Sequence, residues 1–226
     1  MIGLTGGMAS GKSTVSRRLR ELGAFVADAD EVSREVIAEA PVLAGIRSAF
    51  GAGVFGSDGS LDRRALAAKA FATAEGAAKL NSIMHPAILS RLRSLCGEAE
   101  AGGGYRLVFA DAALLIESGF HKLCDGVWLV TAERESRIAR IAERDGLTYE
   151  EASDRLSRQM SDVEKLPFAT VVIENDGTLD ELIEKVDECF RREVTLRNGS
   201  RYENSPDNDT YIKEMTGAYA EENKPR

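Results

Sequence analysis

Cysteine is scarce: Cys96, Cys124 and Cys189 are three thiols in 226 residues, far apart and odd in number. They make neither a disulfide framework nor a C-x-x-C zinc site, so inert thiols in a reducing compartment are expected. Long apolar runs are missing too. No segment reaches the roughly 18 apolar residues that a membrane span needs, and no basic stretch precedes the first apolar run as it would in a secretory leader. A soluble, cytoplasmic protein with no membrane partner is the expectation. Basic charge is in deficit, with 29 Lys and Arg against 37 Asp and Glu, a formal charge of −8 with two His. A field of that sign repels polyanions, so nucleic acid is not an expected partner, and any anionic ligand must be held by local cations or backbone N–H groups. Internal repeats are absent.

What remains is an ordinary globular composition, 43% hydrophobic and 29% charged, in a chain long enough for one large domain and too large for a peptide hormone or knottin. Five strand-length apolar runs recur: Met1 to Leu4, Ala24 to Ala27, Leu107 to Ala110, Val127 to Val130 and Val171 to Ile173. Between them lie helical spacings such as Val15, Leu19 and Leu22, closed by Gly23. Alternating strands and helices predict an α/β fold, a parallel sheet covered on both faces. Almost eighty residues separate the second and third runs, far more than a simple crossover needs, so an insertion is expected there. It reads as helices over Leu66 to Ala72, Ala77 to Met84 and Pro86 to Leu95, with Pro86 in a first helical turn. A second excursion, Glu133 to Phe168, is rich in Arg and reads as a movable lid. From about Leu196 the apolar period fails among Asn, Gly, Ser, Pro and Asp, which predicts a mobile tail.

Gly6-Gly7-Met8-Ala9-Ser10-Gly11-Lys12-Ser13 satisfies G-x-x-x-x-G-K-[ST], directly after the first strand and before a helix. Glycines let the backbone turn its N–H groups inward, and the helix N-terminus adds positive potential, so Gly7 to Thr14 read as a cradle for a nucleoside triphosphate. Lys12 would reach the β and γ phosphates, and the Ser13 hydroxyl would ligate Mg²⁺. The second strand ends in Asp28-Ala29-Asp30, where alternation would turn both carboxylates to one side and offer a base to an acceptor hydroxyl; a helix cap is the plainer alternative. Asp111 ends the third strand, where a carboxylate orients Mg²⁺ through water, and Glu117 reads as a surface residue. Arg134, Arg137, Arg140 and Arg144, spaced three, three and four, share one side of a helix and suggest a phosphate clamp against a solvated, ion-paired face. A regulatory GTPase is excluded, because no D-x-x-G or N-K-x-D motif occurs.

In order and spacing these residues resemble the dephospho-CoA kinase family over about residues 2 to 190. Leu4-Thr5-Gly6-Gly7 through Thr14, Leu22-Gly23 and Asp28-Ala29-Asp30 look like its opening. Gly59 to Leu66, His85-Pro86, Asp111 to Glu117, Arg144-Asp145-Gly146 through Gln159, and Ile173 to Gly177 are similar to its later elements. Ala9 stands where the family usually has Gly, Ala113 where it has Pro, and Ile116 where it has Phe. The resemblance implies a P-loop kinase fold with a five-stranded parallel sheet, a helical substrate-side insertion and a lid. The implied bounds are a kinase domain at 1–195 and a tail at 196–226, with core segments 1–30, 105–132 and 169–195, insertion 31–104 and lid 133–168. It implies transfer of the ATP γ phosphate, with Mg²⁺, to the 3′ hydroxyl of the dephospho-CoA ribose, the last step of CoA synthesis. Lys12, Asp30, Arg140 and Arg144 are then the catalytic candidates, with Asp30 the base and Arg155 and Gln159 further lid positions. Asn175 lies in the segment that approaches adenine, and Asp28, Asp30, Arg64, His85 and Asp111 belong to the acceptor side. Another small-molecule or nucleotide kinase, or a silent nucleotide binder, are the competing readings.

Overall fold

The computed structural model describes residues 1–199, and the part of the expected tail at 200–226 lies outside the described residues. The chain runs β1 (Ile2–Gly6), α1 (Lys12–Glu21), β2 (Phe25–Asp28), α2 (Ala29–Val36), α3 (Ala40–Phe50), α4 (Arg63–Ala70) and α5 (Ala74–Gly102). It continues with β3 (Val108–Asp111), β4 (Gly126–Thr131), α6 (Arg134–Asp145), α7 (Tyr149–Leu156), α8 (Asp162–Lys165), β5 (Val171–Glu174) and α9 (Leu179–Gly199). The five apolar runs all become strands, each within one or two residues of its expected bounds. Helix α9 carries regular structure past Leu196, where the sequence had lost its period.

Two compact units arise, Met1–Val26 with Glu98 onward, and Ala27–Gly97. In the first, the sheet has the order β2-β3-β1-β4-β5. β1 pairs in parallel with β3 (Leu4 opposite Asp111) and with β4 (Leu4 opposite Trp128), and β4 pairs in parallel with β5. All five β1 residues are buried, as a central parallel strand requires. The chain leaves β1 for one side of the sheet and later fills the other, so the carboxyl end of β1 is the switch point at which such sheets bind ligands. Ile2, Leu4, Val15, Leu19, Phe109, Trp128, Ile173, Leu182, Val186 and Phe190 form the core against α1 and α9. Phe109 meets Trp128 edge to face, with ring centroids 5.0 Å apart. Arg18 of α1 grips Asp187 of α9 through two bonds of 2.7 Å.

The second unit is helical. Val32, Val36, Val42, Ile46, Phe50, Leu66, Ala70, Leu80, Met84 and Leu92 are buried, and the Arg47 guanidinium stacks 3.9 Å from the Phe55 ring centroid. Here one expectation is corrected: Pro86 begins no helix but lies inside the continuous 29-residue α5. Its ring removes one i→i−4 bond, and the buried apolar positions on either side carry the helix through that loss. Among the described residues no helix is long and apolar enough to cross a membrane. The three cysteines are free thiols, and burial pushes the Cys124 thiol up to about 11.

Candidate active site

The loop between Gly6 and Lys12 sits at the switch point. Gly11 opens α1 with φ 96°, a left-handed conformation suited to glycine, and a Cβ there would lie 2.2 Å from Asn175 Nδ2. At Gly7 a Cβ would fall 2.0 Å from Arg137 Nη2, so the missing side chain makes room for a guanidinium. Ala9 is the one non-glycine residue with positive φ among the described residues, at 59°. Helix α1 has no side-chain cap and no acid in its first turn. Among the described residues no side chain therefore competes with an anion for its first N–H groups.

Lys12 is ion-paired with Asp111 at the end of β3, and the Asp111 side chain is almost wholly buried. Ser13 is exposed in the first turn of α1. Mg²⁺ takes hard oxygen ligands and keeps places for water and phosphate. The Ser13 hydroxyl and Asp111 carboxylate are donors of that kind, and among the described residues no larger cluster of His, Cys, Asp or Glu gathers to hold a metal alone. Behind Asp111, the Ala113 carbonyl accepts from Thr5 Oγ1 at 3.2 Å and from Lys165 Nζ at 3.3 Å. Lys165 is 0% exposed and pairs with Glu117 at 3.0 Å. Glu117 is exposed, as expected of a surface residue, and is also the counter-ion of a buried ammonium; nothing in the local sequence around Lys165 announces that burial.

The four arginines of α6 have four different fates. Arg134 reaches Ser153 at 2.7 Å. Arg137 is buried, with Nε donating to the Met8 carbonyl at 2.8 Å and Nη1 to Asp162 at 3.0 Å. Burial pushes the Asp162 carboxyl up, while Arg137 and Lys165 pull it the other way. Arg140 donates to the Ala9 carbonyl and to the Asn175 carbonyl, each at 3.2 Å. Arg144 binds Asp145 through two bonds, of 2.8 and 3.0 Å, and Arg155 shares the same carboxylate at 2.6 Å. Arg144, and then Arg155, hold the Asp145 carboxyl below the usual range. Gln159 Oε1 accepts from the Met8 N–H at 2.9 Å, and Asn175 Nδ2 donates to the Ser10 carbonyl at 2.9 Å. Met8 and Ala9 also pack against the apolar cluster of Ile138, Ile141, Ala152 and Leu156. Lys12, Asp111, Arg137, Arg140, Gln159 and Asn175 are therefore gathered around one loop, whereas Arg144 and Arg155 are spent on Asp145.

The remaining candidates belong to the helical unit. Strand β2 ends at Asp28 and α2 begins at Ala29, so no extended segment aligns Asp28 with Asp30. Asp28 is the cap, accepting from the N–H groups of Asp30 at 2.7 Å and Glu31 at 3.3 Å. Asp30 is exposed, and among the described residues its carboxylate accepts no hydrogen bond. Arg64 is exposed in the first turn of α4, and His85 is half-buried within α5 immediately before Pro86.

A sequence profile described as dephospho-CoA kinase matches residues 1–181. The dephospho-CoA kinase of Corynebacterium jeikeium (strain K411) is 46% identical over 187 residues, covering 82% of this chain and 95% of its own. That of Geobacter sulfurreducens is 43% identical over 193 residues, covering 85% and 98%. The crystal structure of TT1252 from Thermus thermophilus superposes with a TM-score of 0.70 at 36% identity, covering 85% of this chain and 96% of that one.

Proposed function

The chain belongs to the dephospho-CoA kinase family, and from that premise we propose that it transfers the γ-phosphoryl group of ATP to the 3′ hydroxyl of the dephospho-CoA ribose, giving CoA and ADP. The observation that carries this reading is the intact phosphate cradle, Gly7 to Thr14 with Lys12 paired to buried Asp111, in a chain matched over residues 1–181. Phosphoryl transfer asks the protein mainly for positioning and charge stabilisation. The N–H groups of the loop and of the start of α1 hold the phosphate oxygens. Lys12 exchanges its Asp111 partner for the β and γ phosphates; Ser13, and Asp111 through a water, would hold Mg²⁺, which would offset their charge. Thr14 and Asn175 complete the nucleotide side.

On the acceptor side, Asp30 rather than Asp28 is the base, because the Asp28 carboxylate is occupied by two backbone N–H groups and that of Asp30 accepts no bond among the described residues. It takes the proton of the ribose hydroxyl as that oxygen attacks phosphorus and the bond to the ADP oxygen breaks. Arg64 and His85 bind the acceptor. Arg140, and Arg144 once it leaves its Asp145 partner, clamp phosphates from the segment 133–168, which acts as a lid and excludes the water that would otherwise accept the phosphoryl group. ADP release with Mg²⁺ and ATP is the test, run with dephospho-CoA, adenosine, AMP and shikimate in parallel and with the product checked by mass. We expect turnover with dephospho-CoA alone, and a fall of about 10²- to 10⁴-fold in kcat for Asp30→Asn with ATP binding kept. Preference for another acceptor would leave a P-loop kinase of different substrate; no turnover with any would leave a nucleotide binder.

A further inference from the structure

The outer side of the phosphate loop is held by a buried ion pair. The Arg137 and Asp162 side chains are only 7% and 6% exposed. Arg137 divides its guanidinium between two tasks, with Nε on the Met8 carbonyl and Nη1 on Asp162, while Nη2 lies over Gly7 in the space a Cβ would fill. The same residue is seized from its other end, the Met8 N–H donating to Gln159. Both polar backbone groups of Met8 are therefore spent on the outer side of the loop. The next residue, Ala9, carries a Cβ in a left-handed conformation that L-residues disfavour. Such a turn persists only when its surroundings hold it. A buried pair of this kind adds little net stability once both charges are desolvated, and what it yields is a fixed geometry.

We propose that Arg137, held in place by Asp162, is a positioning residue for phosphoryl transfer: it fixes the Met8–Ala9 peptide so that the loop's N–H groups point at the nucleotide. Arg137 acts through the loop backbone and Asp162 acts through Arg137. The inference rests on reading the loop as the ATP cradle, but it concerns nucleotide binding as well as turnover.

R137M alone leaves Asp162 an unpaired buried charge and risks unfolding, so the deciding variant is R137M combined with D162N, which removes both charges together. MgATP binding is followed by calorimetry, steady-state kinetics use ATP and dephospho-CoA, and melting temperature is recorded for each protein. The combined variant should bind MgATP about 10-fold more weakly and lose about 10- to 100-fold in kcat/KM for ATP, with KM for dephospho-CoA within about twofold of wild type. R137K keeps the charge but not the fork of donors, and should recover only part of the loss. MgATP affinity and kcat/KM within about twofold of wild type in the combined variant would overturn the proposal, whatever the melting temperature does. Should the wild type bind MgATP without phosphorylating dephospho-CoA, the functional reading fails, and the difference in MgATP affinity still decides the role of Arg137.

Discussion

At Gly11 two demands meet in one residue, a φ of 96° and a side-chain amide 2.2 Å from where a Cβ would be. Gly11→Ala meets both penalties, since the displaced Asn175 amide also loses the Ser10 carbonyl. The variant should lose about 2–4 kcal/mol by urea unfolding and show no MgATP binding by calorimetry at wild-type saturating concentration. A variant with unchanged affinity would show that the loop conformation has no bearing on the nucleotide. The sequence motif announces this glycine but not its reason. The motif places Gly11 beside Lys12, whereas the amide that makes a methyl group impossible comes from position 175, far along the chain. Asp28 and Asp30 differ in the same way. Two residues apart and chemically alike, they are equivalent by local pattern, with only the family resemblance favouring Asp30, and in the structure the first turn of α2 consumes the Asp28 carboxylate.

Among the elements, α1 and α9 are joined by the Arg18–Asp187 pair, with the Asp187 carboxyl held below its usual range by Arg18. A carboxylate with a depressed folded-state pKa contributes stability above its unfolded pKa and loses it as pH falls through the folded one. Asp187→Asn should therefore cost about 1 kcal/mol at pH 7, and the gap to wild type should close in urea titrations below about pH 4. A gap that does not narrow as the pH falls below about 4 would remove the ion pair as its cause. Helix α5 offers the opposite kind of test. Pro86 interrupts its hydrogen bonding, so Pro86→Ala restores a donor and should raise stability by about 1–3 kcal/mol in thermal unfolding. Destabilisation would mean that the ring packs better than a donor bonds. The local rule that starts helices at proline failed here because buried Leu80, Met84, Leu92 and Cys96 flank the defect.

For the molecule as a whole, the charge of −8 opposes polyanionic substrates, and on the proposed function the loop N–H groups, Lys12 and the guanidiniums of α6 would offset it locally. That local arrangement hangs on the sheet. Phe109 is wholly buried in β3, two residues before Asp111, and packs on Trp128 in β4. Phe109→Ala should cost about 3–5 kcal/mol in urea unfolding, a cavity at the centre of the first unit rather than a local loosening. A loss below about 1 kcal/mol would mean that the sheet closes over the gap.

The sequence by itself determined whatever depends on near neighbours. Five apolar runs of strand length, helical spacings between them and the eight-residue loop motif are local patterns, and each reappears as an element of the sheet, of its covering helices or of the cradle. Tertiary structure decided the partners. Arg134, Arg137, Arg140 and Arg144 look equivalent at helical spacing, yet they meet a hydroxyl, a buried carboxylate and carbonyl, two carbonyls, and a neighbouring carboxylate. The ion pairs of Lys12 with Asp111 and Lys165 with Glu117 span 99 and 48 positions. No periodicity reaches that far. Burial and partner choice depend on which segments the sheet brings side by side, and a charged side chain is tolerated in the interior only where that packing supplies its counter-ion.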